Sequence, residues 1–365
     1  MEKDFDVIVI GAGVIGLSIA YELSKKYSVG LIEKNKKYGL ETSSRNSEVI
    51  HSGIHYPTGS LKAKLCVQGN ELIYEFLKEN NLIYKKTGKL TVAVEPNEIE
   101  EIERLYKQGI ENGVCDIRII EKKEIKNFAP EIEGICALYT GSTGILNVHN
   151  LMDCLYEKFL NNGGIAGFDE KVINIVKKNG NWIVETEKSK YFSEIVINCA
   201  GLYAEEISKK LGFNYEIFWV KGDYFTISKK FSIPLLIYPV PMKEGLGIHL
   251  TPRFDGILRA GPDVEYVEKK YPPYPTEKEN SIFKVDENKK EFFYNHIKKF
   301  IPLIEIDDLI PESYGIRPKL QKEGGEFKDF IIKQEVPGFI NLIGIDSPGL
   351  TSCLSIAKYV KDLIF

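Results

Sequence analysis

Strand and helix patterns alternate at the start of the chain. Residues 6–10 form a short β-branched apolar run, residues 17–27 repeat apolar side chains at helical spacing, and residues 29–34 return to a strand pattern. A glycine-containing turn separates the first strand from the helix. This order predicts a βαβ unit at the N-terminus.

Helices and strands also alternate along the rest of the chain. Helical patterns cover 62–80, 95–112 and 151–160. Strand patterns cover 89–94, 193–201 and 339–345, the last leading into a terminal helix. We expect a hairpin at 171–186 around Asn179, Gly180 and Asn181, an antiparallel sheet over 219–260, and a Pro/Tyr-rich loop at 271–276.

These patterns predict an α/β fold in which one domain is assembled from separate segments. The strand at 193–201 and the final strand–helix pair are expected to return to the N-terminal βαβ unit. We therefore predict a discontinuous Rossmann-like domain and an inserted substrate domain with an antiparallel sheet. The Rossmann-like domain takes 1–85, 145–212 and 316–365, and the substrate domain takes 86–144 and 213–315.

The glycine turn has the spacing of a dinucleotide-binding fingerprint. Gly11 permits the tight turn, Gly13 lets the backbone approach a pyrophosphate, and Gly16 lets helix and strand pack closely. Glu33 ends the second strand, where its carboxylate is placed to accept hydrogen bonds from a ribose hydroxyl. The motif leaves NAD and FAD open as cofactors.

Length, charge and cysteine usage narrow the class further. The 365 residues, 43% of them apolar, are enough for two domains with buried cores. With 48 basic and 52 acidic residues, the chain lacks the basic surface expected of a nucleic-acid-binding protein. The uncharged run 7–21 is too short to span a bilayer. We predict a cytoplasmic protein with reduced thiols, or one peripheral to the inner face of the cell membrane. No metal-binding motif is found.

Several further segments carry a family resemblance over nearly the whole chain. They are 42–76, 198–204, 221–227, 238–241, 247–252, 261–263, 315–320 and 344–351. Together these segments resemble the L-2-hydroxyglutarate dehydrogenase/oxidase group of the D-amino-acid-oxidase (DAO) family, which has the glutathione-reductase-2 type of fold. The segments 42–76 and 344–351 (GIDSPGLT) are the most specific, and they select FAD over NAD.

The resemblance implies noncovalent FAD in an extended pose, with its flavin between the loop 42–53 and the C-terminal helix. The hydroxyl and amide side chains of this loop suit pyrophosphate and ribityl oxygens. The N-terminal amides of the helix after Pro348 suit the negative charge of a reduced flavin, whereas Ser347 could also be a plain helix cap. The implied FAD-binding residues are Gly11, Gly13, Val14, Ile15, Gly16, Glu33, Lys34, Thr42, Ser43, Ser44, Arg45, Asn46, Ser47, Val172, Ala200, Gly201, Asp346, Ser347, Pro348, Gly349, Leu350 and Thr351.

Oxidation of a 2-hydroxy acid needs a base for the hydroxyl proton, and the chain has five histidines. His51 and His55 lie in the segment next to the expected flavin, and His249 lies on a strand of the substrate domain. We predict that one of these three is the base. His149 and His296 are predicted to be structural.

The same reaction needs cations to hold the substrate carboxylates. Arg317 is the best carboxylate ligand because a guanidinium can bind a carboxylate through two hydrogen bonds. Lys221 is the main candidate for a second, distal anion, with Lys62 and Lys64 as alternatives. Tyr238 is predicted to line the pocket, together with Tyr56 and Tyr224.

The resemblance implies hydride transfer from L-2-hydroxyglutarate to flavin N5, with 2-oxoglutarate as product. The segment 43–56 also resembles glycerol-3-phosphate dehydrogenases and oxidases, and His55 and 242–245 depart from the hydroxyglutarate pattern. An sn-glycerol-3-phosphate enzyme is therefore the first alternative, followed by an amine or amino-acid oxidase and by a non-catalytic flavoprotein. The electron acceptor stays open among oxygen, a quinone and a carrier protein.

Overall fold

The computed structural model describes residues 3–241, 247–269, 274 and 283–364. In chain order its strands are β1 Phe5–Ile10, β2 Val29–Ile32, β3 Val49–Ile50, β4 Tyr84–Lys85, β5 Lys89–Ala93, β6 Ile117–Glu121, β7 Cys136–Thr140, β8 Gly144–Leu146, β9 Ile165–Gly167, β10 Val172–Lys178, β11 Asn181–Thr186, β12 Lys190–Asn198, β13 Phe218–Ile227, β14 Leu236–Pro239, β15 Leu250–Pro252, β16 Leu258–Ala260, β17 Glu265–Val267, β18 Leu309–Lys319, β19 Ile331–Val336 and β20 Phe339–Ile343. Its helices are α1 Val14–Ser24, α2 Leu61–Glu79, α3 Ile99–Glu111, α4 Lys122–Phe128, α5 Val148–Asn161, α6 Ala204–Lys209, α7 Lys290–Ile297 and α8 Gly349–Ile364.

The first sheet has a parallel centre formed by β20, β12, β1, β2 and β9. Its strands come from three separate parts of the chain, which confirms the predicted discontinuous Rossmann-like fold. β1 is buried on both faces, as its continuous apolar run requires. Val7 and Val9 pack into the core formed with α1, α5 and α8, whereas Ile8 and Ile10 pack with Trp182.

The second sheet is mostly antiparallel, as predicted for the substrate domain. β13 pairs with β16, β17 and β18, and the sheet continues through β15 and β14. The prediction did not include the parallel pairing of β14 with β5, which joins the two inserted segments in one sheet. β18 runs across residue 316, so Arg317 lies on this second sheet, opposite Val220. The exact domain boundaries stay a prediction.

Most of the predicted local elements are present. The helix predicted at 62–80 is α2, and the hairpin predicted at 171–186 is the β10–β11 pair. Asn179 and Gly180 turn this hairpin with φ values of 53° and 87°, as a two-residue turn with two left-handed positions requires. Of the predicted loop 271–276, only Tyr274 belongs to the described residues.

A close contact between α2 and α8 fixes the loop that follows β3. A Cβ atom added at Gly69 of α2 would meet the carbonyl oxygen of Thr351 and would lie 2.8 Å from the Cα atom of Ser352. The helix backbones can approach this closely only because residue 69 has no side chain. The Thr351 hydroxyl in turn accepts a hydrogen bond of 2.9 Å from the backbone N–H of His51.

The described residues contain neither a membrane-spanning helix nor a cluster of metal ligands. No helix in the described ranges is long and apolar enough to cross a membrane. Within the same ranges, no group of three or more His, Cys, Asp and Glu side chains is arranged to hold a metal ion. All six cysteines are free thiols.

We predict that Gly69→Ala lowers the free energy of unfolding by about 1–3 kcal/mol, because the new methyl group overpacks the contact between α2 and α8. Gln68→Ala is the matched control, since Gln68 is the exposed neighbour on the same helix. Urea denaturation of both variants measures the effect. Equal stability of the two variants would show that the helices are not in close contact at residue 69.

Candidate active site

A cavity of about 760 Å³ lies at the carboxyl ends of β1 and β2. This is the position at which parallel α/β sheets bind nucleotides. The backbone of the glycine turn forms one side of the cavity, through Gly11 and Gly13. Val172, Ala200 and Gly201 lie on other sides. The cavity therefore has the place and the wall expected of a dinucleotide site.

Glu33 is held in one orientation at the edge of this cavity. Its carboxylate accepts hydrogen bonds from the backbone N–H groups of Ala12, at 2.8 Å, and Asn35, at 2.9 Å. The side chain is buried, and burial raises the pKa of its carboxyl group. A fixed acceptor at the end of the second strand is what recognition of a ribose hydroxyl requires.

The glycine turn leaves its backbone open toward the cavity. Gly11 has a φ of 99°, and a Cβ atom at Gly16 would collide with the Gly11 carbonyl oxygen. A Cβ atom at Gly13 would lie 2.9 Å from Ser43 Oγ. Ser43 Oγ also accepts a 3.0 Å hydrogen bond from the N–H of Val14, the first residue of α1. These positions fit a pyrophosphate placed against the start of the helix.

A second cavity of about 230 Å³ continues from the first toward the second sheet. The two cavities share Gly13, Thr42, Ser43, Cys199 and Gly201. The second cavity ends between the start of α8 and the second sheet. Its shape and position suit an extended dinucleotide cofactor with the nucleotide in the larger cavity and the reactive ring in the smaller one.

Most of the residues predicted to bind FAD line one of these cavities. They are Gly11, Gly13, Val14, Ile15, Glu33, Lys34, Thr42, Ser43, Arg45, Asn46, Ser47, Val172, Ala200, Gly201, Asp346, Ser347, Pro348, Gly349 and Leu350. Three others do not. Gly16 packs against Gly11, Ser44 donates to the Glu41 carbonyl, and Thr351 contacts the backbone after β3.

His51 and His249, two of the three histidines predicted as candidate bases, line the second cavity. Ser347 Oγ lies 3.2 Å from His51 Nε2 and 3.3 Å from the hydroxyl of Tyr56. The ring of His249 stacks on Tyr238, with ring centres 4.0 Å apart. Burial lowers the pKa of both imidazoles to about 3. At neutral pH each ring is therefore uncharged.

The side of the cavity formed by His51, Tyr238 and His249 is called the imidazole wall below. His55 lies behind this wall. Its ring stacks on Tyr238 at a distance of 6.2 Å, and it is not among the residues that line the cavity. Its Nε2 atom is 3.0 Å from the amine of Lys89, which is completely buried on β5. From the sequence, Lys89 is predicted only as part of the strand at 89–94. The signal that could have identified it is a charged residue at the start of a buried apolar run.

Arg317 lines the cavity with its guanidinium bound only to backbone carbonyls. It donates to Asp263 at 2.7 Å and makes longer contacts of 3.5 Å with Val220 and Lys221. Among the described residues it has no carboxylate within 4 Å. The guanidinium is therefore available to an anion in the cavity.

The predicted distal anchors are either paired with carboxylates or exposed, so the structure does not favour them as anion ligands. Lys221 is buried against Asp223, 2.6 Å away, and does not line the cavity. Lys62 forms a buried ion pair of 2.7 Å with Asp346, and Lys64 is exposed. Carboxylates thus neutralise the two buried lysines that were expected to hold substrate.

The tyrosines predicted for the pocket divide into two groups. Tyr224 and Tyr238 line the second cavity, whereas Tyr56 reaches Ser347 from outside it. The Tyr224 hydroxyl is 3.0 Å from Ser47 Oγ, so it connects the second sheet to the loop between β2 and β3. His149 lies in the first turn of α5, and His296 on α7 contacts the Phe292 carbonyl.

A dinucleotide cavity joined to a buried wall of uncharged imidazoles defines a cofactor-dependent oxidoreductase. Residues 6–363 match the family model DAO, described as FAD dependent oxidoreductase. The chain belongs to this family, which confirms the predicted family, fold and cofactor.

Two curated relatives and one solved structure are similar along nearly the whole chain. The mitochondrial L-2-hydroxyglutarate dehydrogenase of Arabidopsis thaliana is 36% identical, with 98% of this chain and 83% of that protein covered. The glycerol 3-phosphate dehydrogenase of Caloramator mitchellensis is 34% identical, with 99% and 74% covered. The dithionite-reduced L-α-glycerophosphate oxidase of Mycoplasma pneumoniae with FAD bound has a TM-score of 0.86 and 27% identity, with 100% and 95% covered.

We predict that Gly13→Val yields folded protein with little bound FAD, because a branched side chain fills the space beside Ser43 and the start of α1. Gly13→Ala is the graded control, since its single methyl group meets only the Ser43 hydroxyl, which can rotate. The FAD released on denaturation, divided by protein concentration, measures the effect. Full FAD content in Gly13→Val would place the cofactor elsewhere.

Proposed function

We propose that the protein oxidises the C2 hydroxyl of a small anionic 2-hydroxy acid, with L-2-hydroxyglutarate as the preferred substrate and 2-oxoglutarate as the product. The main support is the pairing of an anion-accepting guanidinium, Arg317, with uncharged imidazoles in the same cavity. The similarity to an L-2-hydroxyglutarate dehydrogenase supports the choice of acid. This set of groups also makes a non-catalytic flavoprotein the least favoured function.

The residues present fit FAD in an extended pose. The turn at Gly11 and Gly13 would hold the pyrophosphate, Glu33 would bind the ribose, and the start of α8 would face the flavin ring. Bound FAD supplies a two-electron oxidant that accepts the C2 hydrogen as hydride. The other requirements of the reaction fall to the protein's own side chains.

Those side chains divide the work between anion binding and proton acceptance. The Arg317 guanidinium binds the C1 carboxylate and orients the C2 hydroxyl toward the imidazole wall. His51 or His249 is placed to take the hydroxyl proton, since both rings line the cavity and are uncharged. For His249, the Gly247 carbonyl, 3.2 Å from Nδ1, favours a proton on that atom and leaves Nε2 as the acceptor.

The second candidate substrate is sn-glycerol 3-phosphate. The similarity to a glycerol 3-phosphate dehydrogenase and to the L-α-glycerophosphate oxidase supports it. A phosphate dianion requires several clustered donors, however, and Lys221 and Lys62 are already paired with carboxylates. The single Arg317 guanidinium suits a carboxylate, which it can bind through two hydrogen bonds, better than a phosphate dianion. The electron acceptor and the cytoplasmic location stay predictions.

We expect anaerobic L-2-hydroxyglutarate to reduce the bound flavin faster than its D enantiomer or sn-glycerol 3-phosphate does. Stopped-flow loss of flavin absorbance gives the three rates. The D enantiomer is the control for binding without correct orientation, because it presents the C2 hydrogen on the opposite side. Fast reduction by sn-glycerol 3-phosphate alone would reverse the ranking, and reduction by none of the three would contradict the proposed function.

Arg317→Lys should raise the KM for the hydroxy acid about tenfold, because lysine keeps the charge but loses the two-pronged contact. FAD content should be unchanged. Arg253→Lys is the matched control, since Arg253 pairs with Asp255 in an exposed position. Steady-state kinetics of both variants at equal FAD content measure the effect. An unchanged KM in Arg317→Lys would assign carboxylate binding to another residue.

A further inference from the structure

Lys89 is the first residue of β5, between β14 and β7, and its side chain is completely buried. Its amine is 3.0 Å from Nε2 of His55 and 4.8 Å from the centre of the Tyr238 ring. Among the described residues, no carboxylate lies within 4 Å of this amine. The buried amine therefore has aromatic and imidazole partners in place of an ion pair.

Burial of the Lys89 amine in this position lowers the stability of the folded protein. Removing an amine from water is unfavourable unless a carboxylate or several hydrogen bonds compensate for it. An apolar side chain of similar length, such as methionine, would fill the same space without this cost. The buried lysines at 62 and 221 each have a carboxylate partner, so Lys89 is different from both. The difference indicates a role in the site beside it.

Lys89 supports the imidazole wall from behind. The Tyr238 ring stacks with His55, at 6.2 Å, and with His249, at 4.0 Å, and both pairs of rings are 16° from parallel. Tyr238 and His249 line the cavity, whereas His55 and Lys89 do not. The amine thus contacts His55 and Tyr238, and the Tyr238 ring in turn stacks on His249.

The charge of Lys89 also acts on the groups that line the cavity. Burial lowers the pKa of His51, His55 and His249, and the Lys89 ammonium lowers each of them further. An electrostatic effect that reaches these imidazoles also reaches an anion bound against them. A cation behind a wall of uncharged rings can attract an anion without pairing directly with it.

We propose that Lys89 is a positioning and specificity residue of this site, which holds His55 and Tyr238 in place and gives the cavity wall a positive potential that favours an anionic substrate. This inference rests on the proposed function, in which the substrate binds against that wall. The positive potential from Lys89 explains how the Arg317 guanidinium alone suffices as the direct ligand of the anion. Lys89 itself touches neither the substrate nor the cofactor.

The proposal has a definite pH dependence. Burial lowers the pKa of Lys89 to about 7. The amine is therefore charged below that pH and becomes neutral above it. Burial also keeps the Cys66 thiol protonated by raising its pKa, so it supplies no balancing negative charge. The titratable groups that face or couple to the amine are His51 and His55 after β3, Cys66 on α2, Tyr238 on β14 and His249 before β15.

The test compares Lys89→Met with wild type and with Lys64→Met, which removes an exposed lysine from α2. In wild type and the Lys64 control, KM for the hydroxy acid should rise about fivefold as pH increases through neutrality, with a smaller change in kcat. In Lys89→Met, KM should equal the high-pH value of the wild type at every pH. A folded, FAD-loaded Lys89→Met enzyme with the wild-type KM and pH profile would overturn the proposal.

A second measurement, made on the wild-type protein, depends neither on turnover nor on the folding of a variant. Nitrogen NMR of lysine side chains in FAD-loaded wild type should show one amine that titrates near neutral pH. Lys89→Gln, which can still donate to His55 but has no charge, should lack this signal and should show the same KM as Lys89→Met. Absence of a neutral-titrating lysine in wild type would overturn the proposal. If no hydroxy acid reduces the wild-type flavin, the proposed function fails, whereas the NMR result still decides the state of Lys89.

Discussion

The site depends on the exclusion of water from the imidazole wall, which lies between the two sheets. Three imidazoles and one amine lie there, and burial lowers the pKa of each of them. The imidazoles are consequently uncharged at neutral pH. Burial of Lys89 also strengthens the interaction of its charge with an anion in the cavity. The uncharged rings and the attraction for an anion thus follow from one physical cause.

The fold brings distant parts of the chain together to form this buried wall. β5 contributes Lys89, β14 contributes Tyr238, and their parallel pairing places the two side chains in contact. The loop after β3 contributes His51, which is bound through its backbone to Thr351 at the start of α8. The close packing of α2 on α8 at Gly69 therefore stabilises the reactive wall as well as the first sheet.

Local sequence was sufficient for the parts of the structure that local geometry determines. The glycine turn, Glu33 and the hairpin at Asn179 and Gly180 follow from backbone conformations that few residues can adopt. The fate of a charged side chain can depend instead on partners far along the chain. Lys62 was predicted as an alternative anion ligand, but tertiary structure places Asp346 against it. Lys89 was predicted only as part of a strand because its burial depends on β14, β7 and the loop after β3.

The most direct test of the account is a crystal structure of the FAD-loaded protein with glutarate, which has both carboxylates of the proposed substrate but no hydroxyl to oxidise. The account predicts one glutarate carboxylate in hydrogen-bond contact with the Arg317 guanidinium, and its carbon chain between the flavin and the wall formed by His51, Tyr238 and His249. Glutarate bound outside this cavity, or inside it with no contact to Arg317, would contradict the account.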